Sequence, residues 1–229
     1  MKKLQSFGAA IIVSIASMVG ASASASVVEY ELSFLTAGQA SVASTTQAGW
    51  TATDLTAVGV TGGPSVFTNH FYHTGWGLTL DTGKYYEATI GTTGSAFSLN
   101  DVSFSLENQS GTSGFVLRSS LDGFATDIDS DAFSAGQVTD FTVDLSSLGT
   151  LNSDVTFRWF LFGAGSTNRT GFANHDCENL SGAGCGLNDV GQDLIFTGQI
   201  SAVPLPASLP LLAAGLIGLG ALARRRRTS

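Results

Sequence analysis

Positive charge is scarce in this chain. Of 10 lysines and arginines, only four, Lys84, Arg118, Arg158 and Arg169, lie between Glu29 and Asp193, the stretch that holds all 18 acidic residues. Four basic against 18 acidic residues leave that stretch at −14, more acidic than the −8 of the whole chain. Such a surface repels nucleic acid and anionic lipid headgroups and favours solubility and divalent cations, so nucleic-acid binding is set aside. Proline is missing between Pro64 and Pro204, and cysteine is limited to Cys177 and Cys185. No Ser-His-Asp order, P-loop or carboxylate pair can be singled out, so the spacing of residues points to no catalytic class.

What is present is Gly, Ser, Thr, Val and Phe. Thr, Val and Phe favour strands and Gly and Ser punctuate them, so the composition predicts an all-β domain. Val28–Phe34 alternates apolar with polar, the period of a half-buried strand. Residues 83–90, 97–107, 114–120, 141–145, 155–163 and 194–200 read as further strands, with turns at Gly91–Gly94 and Leu121–Phe124. Residues 36–66 carry only scattered large apolar side chains and read as loop or irregular edge. Strands at this spacing predict a single β-sandwich, of the jelly-roll kind.

Both ends of the chain read as targeting segments. Lys2 and Lys3, an apolar stretch from Phe7 to Val19, and Ala21-Ser22-Ala23-Ser24-Ala25 are the parts of a signal peptide for Sec export, with cleavage after Ala25 or Ala23. At the other end Val203-Pro204-Leu205-Pro206 precedes an apolar run, Ala207–Ala223, closed by Arg224, Arg225, Arg226 and Arg227. A run of about 17 residues is at the short end of what spans a bilayer as a helix. The arginines hold its C-terminal end in the cytoplasm, with the rest of the chain on the other side. The expected division is a signal peptide (1–25), an exported sandwich (26–202) and a membrane-anchoring tail (203–229).

The tail resembles the PEP-CTERM sorting signal of Gram-negative bacterial surface proteins. The resemblance rests on Val203, Pro204, Pro206, Ala207, the glycine-dotted run (Gly215, Gly218, Gly220) and the arginine cluster, and Leu205 stands where the family's motif has glutamate. It implies recognition by a membrane-embedded exosortase and delivery of the rest to the cell surface or its polysaccharide matrix. A more diffuse likeness, through Phe115–Phe124, Val155–Phe157, Arg158, Gly163-Ala164 and Leu194–Gly198, is to exported jelly-roll domains that carry such tails. It implies no catalytic residues. The expected function is a non-catalytic surface or matrix protein that binds exopolysaccharide weakly if at all; the competitor is a secreted polysaccharide hydrolase.

Three places could hold chemistry. In an oxidising compartment, Cys177 and Cys185 with Gly182, Gly184 and Gly186 between and beside them suit one local disulfide. The alternative is a metal site from His175, Asp176 and the two thiolates. Asp127, Asp129 and Asp131 alternate as a Ca²⁺ loop would begin, but Ala132 and Val138 stand where an EF-hand needs glycine and glutamate, leaving a looser Ca²⁺ site or a solvated acidic turn. His70-Phe71-Tyr72-His73 with Trp76 is the densest aromatic cluster. If it is a strand, His70 and His73 face opposite sides. Tyr72 and Trp76 then either stack on sugar rings or join the core.

Overall fold

The computed structural model describes residues 25–32, 35, 39–62, 70–165, 167–174 and 193–201. Their strands are β1 (Ala25–Tyr30), β2 (Ser41–Val42), β3 (Ser44–Thr46), β4 (Trp50–Ala52), β5 (Leu55–Val58), β6 (His70–His73) and β7 (Tyr85–Thr92). They continue with β8 (Phe97–Asn108), β9 (Thr112–Ser119), β10 (Asp129–Ser134), β11 (Thr139–Asp144), β12 (Val155–Phe162), β13 (Thr170–Ala173) and β14 (Leu194–Ile200). They form two antiparallel sheets packed as a β-sandwich. The first runs β3-β1-β14-β8-β13-β6, with β11 on the other edge of β8. The second runs β10-β9-β12-β7-β5-β2, with β4 beside β5 along β7. Short helical turns at Ser120–Asp122 and Ser146–Leu148 complete the elements used below.

The alternation seen in the sequence is the alternation of burial. On β7, Tyr86, Ala88 and Ile90 are fully buried, and on β12 so are Val155, Phe157 and Trp159. On β8, Phe97 and Leu99 point inward, then Val102, Phe104 and Leu106. The change of parity is a bulge at Asn100, which the register skips as Thr197 pairs with Asp101 and Gly198 with Leu99. One extra residue thus keeps twelve residues of strand facing one core. Trp159 crosses between the layers, with ring centroids 5.6 Å from Phe172, 6.0 Å from Phe104 and 6.2 Å from Phe196. Each large side chain so buried contributes about 1.5–3 kcal/mol.

Four stretches differ from expectation. The first strand starts at Ala25, with a bulge between Ser26 and Val28. Residues 41–58, expected as loop or irregular edge, form four short strands, two of which, β2 and β3, end the two sheets; Val42, Trp50 and Leu55 reach the core while Gly49, at φ +88°, makes the turn between β3 and β4. The Asp129–Ser134 segment is an edge strand, β10, and Thr170–Ala173 adds β13.

A polar network ties the first sheet's outer strands to the second sheet. The Tyr86 hydroxyl reaches across from β7, donates to the Phe71 carbonyl at 2.8 Å and lies 3.0 Å from His73 Nδ1. Trp76 Nε1 donates to the carbonyls of His73 and Thr170, both at 3.0 Å. Gly171 makes room for this: a Cβ there would come 2.2 Å from the Phe71 oxygen and 2.4 Å from the Tyr86 hydroxyl.

Candidate functional site

The aromatic cluster around residue 72 is a strand, and its faces divide as the period of two requires. Phe71 and His73 point to the core and pack edge-on at 4.9 Å. On the other face, Tyr72 donates a short hydrogen bond to Glu107 Oε2, and His70 Nε2 lies 3.0 Å from the same oxygen. Register explains the meeting, since Gly171 of β13 pairs with both Tyr72 and Glu107. Burial, and then the Glu107 charge, raise the Tyr72 pKa far above the ordinary phenol value, so Tyr72 stays protonated as the donor.

This corrects the sugar-stacking expectation. Trp76 is 1% exposed and Tyr72 5%, so neither presents a ring face to a ligand. Both are held by the hydrogen bonds that the interior demands of indole and phenol groups. The cluster pins β6 to the sandwich.

Asp127, Asp129 and Asp131 do not converge on an ion. Asp127 is taken by Arg118, whose Nε lies 2.6 Å from its Oδ1. Asp129 and Asp131 sit on exposed β10 and accept from the next backbone N–H, those of Ser130 (2.8 Å) and Ala132 (2.7 Å). Carboxylates on an edge strand discourage pairing with another chain, which accounts for them without Ca²⁺.

Carboxylates do meet elsewhere. Glu29 and Glu31 of the β1 segment and Asp193 before β14 offer oxygens all within 4.8 Å of one another, and among the described residues they are the group that could hold a hard cation. Burial first, then the charges of Asp193 and Glu31, raise the Glu29 pKa. Asp193 Oδ1 also accepts from Leu32 N at 2.9 Å and Asn174 Nδ2 at 2.7 Å, so it fastens the base of the segment between β13 and β14. These residues lie 164 positions apart in sequence, from Glu29 to Asp193, and only the β1–β14 pairing brings them together.

The outer face of the second sheet gathers two of the four basic residues that lie between Glu29 and Asp193. Glu87, Arg158 and Arg118 form one row across β7, β12 and β9, with Arg158 directly opposite both neighbours. Arg158 lies between two rings, its guanidinium carbon 3.8 Å from the centroid of Phe124 and 4.1 Å from that of Tyr85. Its Nε contacts Glu87 Oε2 at 2.6 Å. Arg118 lies over Phe160 at 5.4 Å and donates from Nη1 to the Phe124 carbonyl at 3.2 Å. Phe124 takes φ +65°, the one non-glycine residue with positive φ among those described. That conformation costs of order 1–3 kcal/mol, and such strain gathers at functional positions. The adjoining row holds hydroxyls, Thr89 and Thr156 at 2.8 Å.

Cys177 and Cys185, with the alternative ligands His175 and Asp176, lie outside the described residues. So do the expected signal peptide up to Ser24, the expected motif Val203, Pro204, Leu205 and Pro206, the apolar run, and Arg224, Arg225, Arg226 and Arg227. Among the described residues no helix is long and apolar enough to cross a membrane. Protein recovered from the cell envelope is expected to show no free thiol when alkylated under denaturing conditions; alkylation of both cysteines would favour the metal site instead. Comparison with protein families, with curated proteins and with solved structures returned no match for this chain.

Proposed function

We propose that this chain is a non-catalytic protein of the bacterial surface or extracellular matrix, exported by Sec and sorted through its PEP-CTERM-like tail by an exosortase. The observation that carries the reading is the pairing of the fold's two ends. Ala25, at the start of β1, is opposite Gly198, near the end of β14. The described strands therefore begin and end at one end of the sandwich, and the whole described core lies between those two points in sequence. Removal of residues 203–229 takes away no described strand, and removal of residues 1–25 takes only Ala25 from β1. Repeated crossing between sheets, at β7–β8, β8–β9, β10–β11, β11–β12 and β12–β13, supports a jelly-roll-like order.

The competing hydrolase would need two carboxylates about 5 Å apart for retention. Glu29 and Asp193 approach that separation, which is the observation in its favour. The hydrogen bonds that Asp193 accepts from Leu32 and Asn174 support a structural duty instead. Reducing-end release from exopolysaccharide that vanishes in Glu29→Gln would promote the hydrolase.

Sorting is tested at the motif. Replacing Pro204 and Pro206 by alanine is expected to leave a precursor of unprocessed mass in the inner membrane, read by fractionation and intact-mass measurement. Identical mature mass and surface location in variant and wild type would sink the exosortase reading.

A further inference from the structure

Resting on the surface-protein reading for the choice of ligand, we propose that the outer face of the second sheet binds a carboxylate-bearing polysaccharide, with Arg118 and Arg158 as the carboxylate clamp. The region has 18 acidic residues and four basic ones, yet two of those four stand directly opposite each other in the β9–β12 ladder. Like charges so placed, with Cβ atoms about 4.5–5.5 Å apart, repel. Asp127 and Glu87 each offset one of them at the Nε edge, which leaves the Nη edge of Arg158 to a bound anion.

The guanidiniums are also prepared for the task. Arg158 is fixed in plane by two rings and by Glu87 at its Nε. Arg118 is fixed by Phe160 and by Asp127 at its Nε. The Nη groups of Arg158 make no hydrogen bond to another described residue, and its side chain is 26% exposed. A planar fork with free donors matches a carboxylate in a way an ammonium does not. The strained Phe124 supplies one wall of this holder. The Thr89 and Thr156 hydroxyls in the next row suit the hydroxyls of a sugar.

Charge decides between ligand classes. The rings here are covered by guanidinium, so they hold cations flat and offer little stacking to a neutral sugar. The long-range field of the domain is repulsive to polyanions, but at physiological salt it is screened beyond about 8 Å. Contacts at hydrogen-bond range then dominate.

The test uses the full chain in a sugar-free non-ionic detergent, titrated calorimetrically with hexagalacturonate, with cellohexaose as the neutral control and sodium sulfate as the small-anion control. Hexagalacturonate is expected to bind, and Arg118→Gln with Arg158→Gln to weaken it at least about tenfold, as loss of charge-assisted hydrogen bonds implies. If that double variant unfolds, Arg158→Lys, which keeps the charge and loses the fork, carries the test with the same expected direction. Equal binding by a folded variant, equal binding of cellohexaose, or complete competition by millimolar sulfate would each overturn the proposal. Fractionation of the same variants separates the two readings. Surface delivery without hexagalacturonate binding defeats the clamp alone, and binding by a chain that is never delivered defeats the sorting reading alone.

Discussion

Trp76→Ala is expected to lower the free energy of unfolding by about 3–5 kcal/mol, the range for deleting a buried aromatic side chain. For a domain of this size that moves the thermal midpoint by roughly 10 °C. The loss has two parts. Removing the indole opens a void beside Tyr86, whose ring centroid lies 5.2 Å from that of Trp76. It also strips the His73 and Thr170 carbonyls of the donor they share. Thermal melting by circular dichroism checks it. A midpoint shift below about 2 °C, accompanied by lost sugar binding, would return Trp76 to the surface.

Acid is expected to unfold this protein through His73. Burial lowers its pKa from 6.5 to about 4, so the unfolded chain takes up the proton first as pH falls. Stability is therefore full above pH 6.5 and declines toward pH 4, by about 3 kcal/mol over the window. Glu29 acts in the opposite sense, because its raised pKa makes the folded state bind a proton earlier than the unfolded chain does. Comparing wild type with His73→Gln cancels that contribution. Urea titrations from pH 7 to pH 4 should show the variant less stable at neutrality but with a flatter profile. Parallel profiles would mean that His73 is not the group responsible.

The elements that could be read from sequence are those where one-sided burial leaves a period of two, as on β7, β12 and β14. β10 escaped because Asp129 and Asp131 occupy positions that point inward at the sandwich's rim, where water still reaches them; its one apolar anchor is Phe133. Tyr72 and Trp76 were ambiguous for a different reason. A dense run of aromatics looks the same whether it lines a core or a ligand platform, and only the meeting with Tyr86, Gly171 and Glu107 separates the two. The arginine row was also beyond local pattern. Arg118 and Arg158 are neighbours because β9 and β12 pair in one register, and a slip of one residue would put them on opposite faces. The scarcity of cations was the available signal, and it identified the residues without their partnership.

β14 lies inside its sheet, paired along Ala25–Tyr30 on one side and Phe97–Ser103 on the other. A pull on whatever follows Ile200 runs along the axis of that strand. The two ladders are then loaded in shear, so their hydrogen bonds resist together, whereas a strand at the rim would peel away one bond at a time. Tension from a tether would enter this fold at the place best built to bear it.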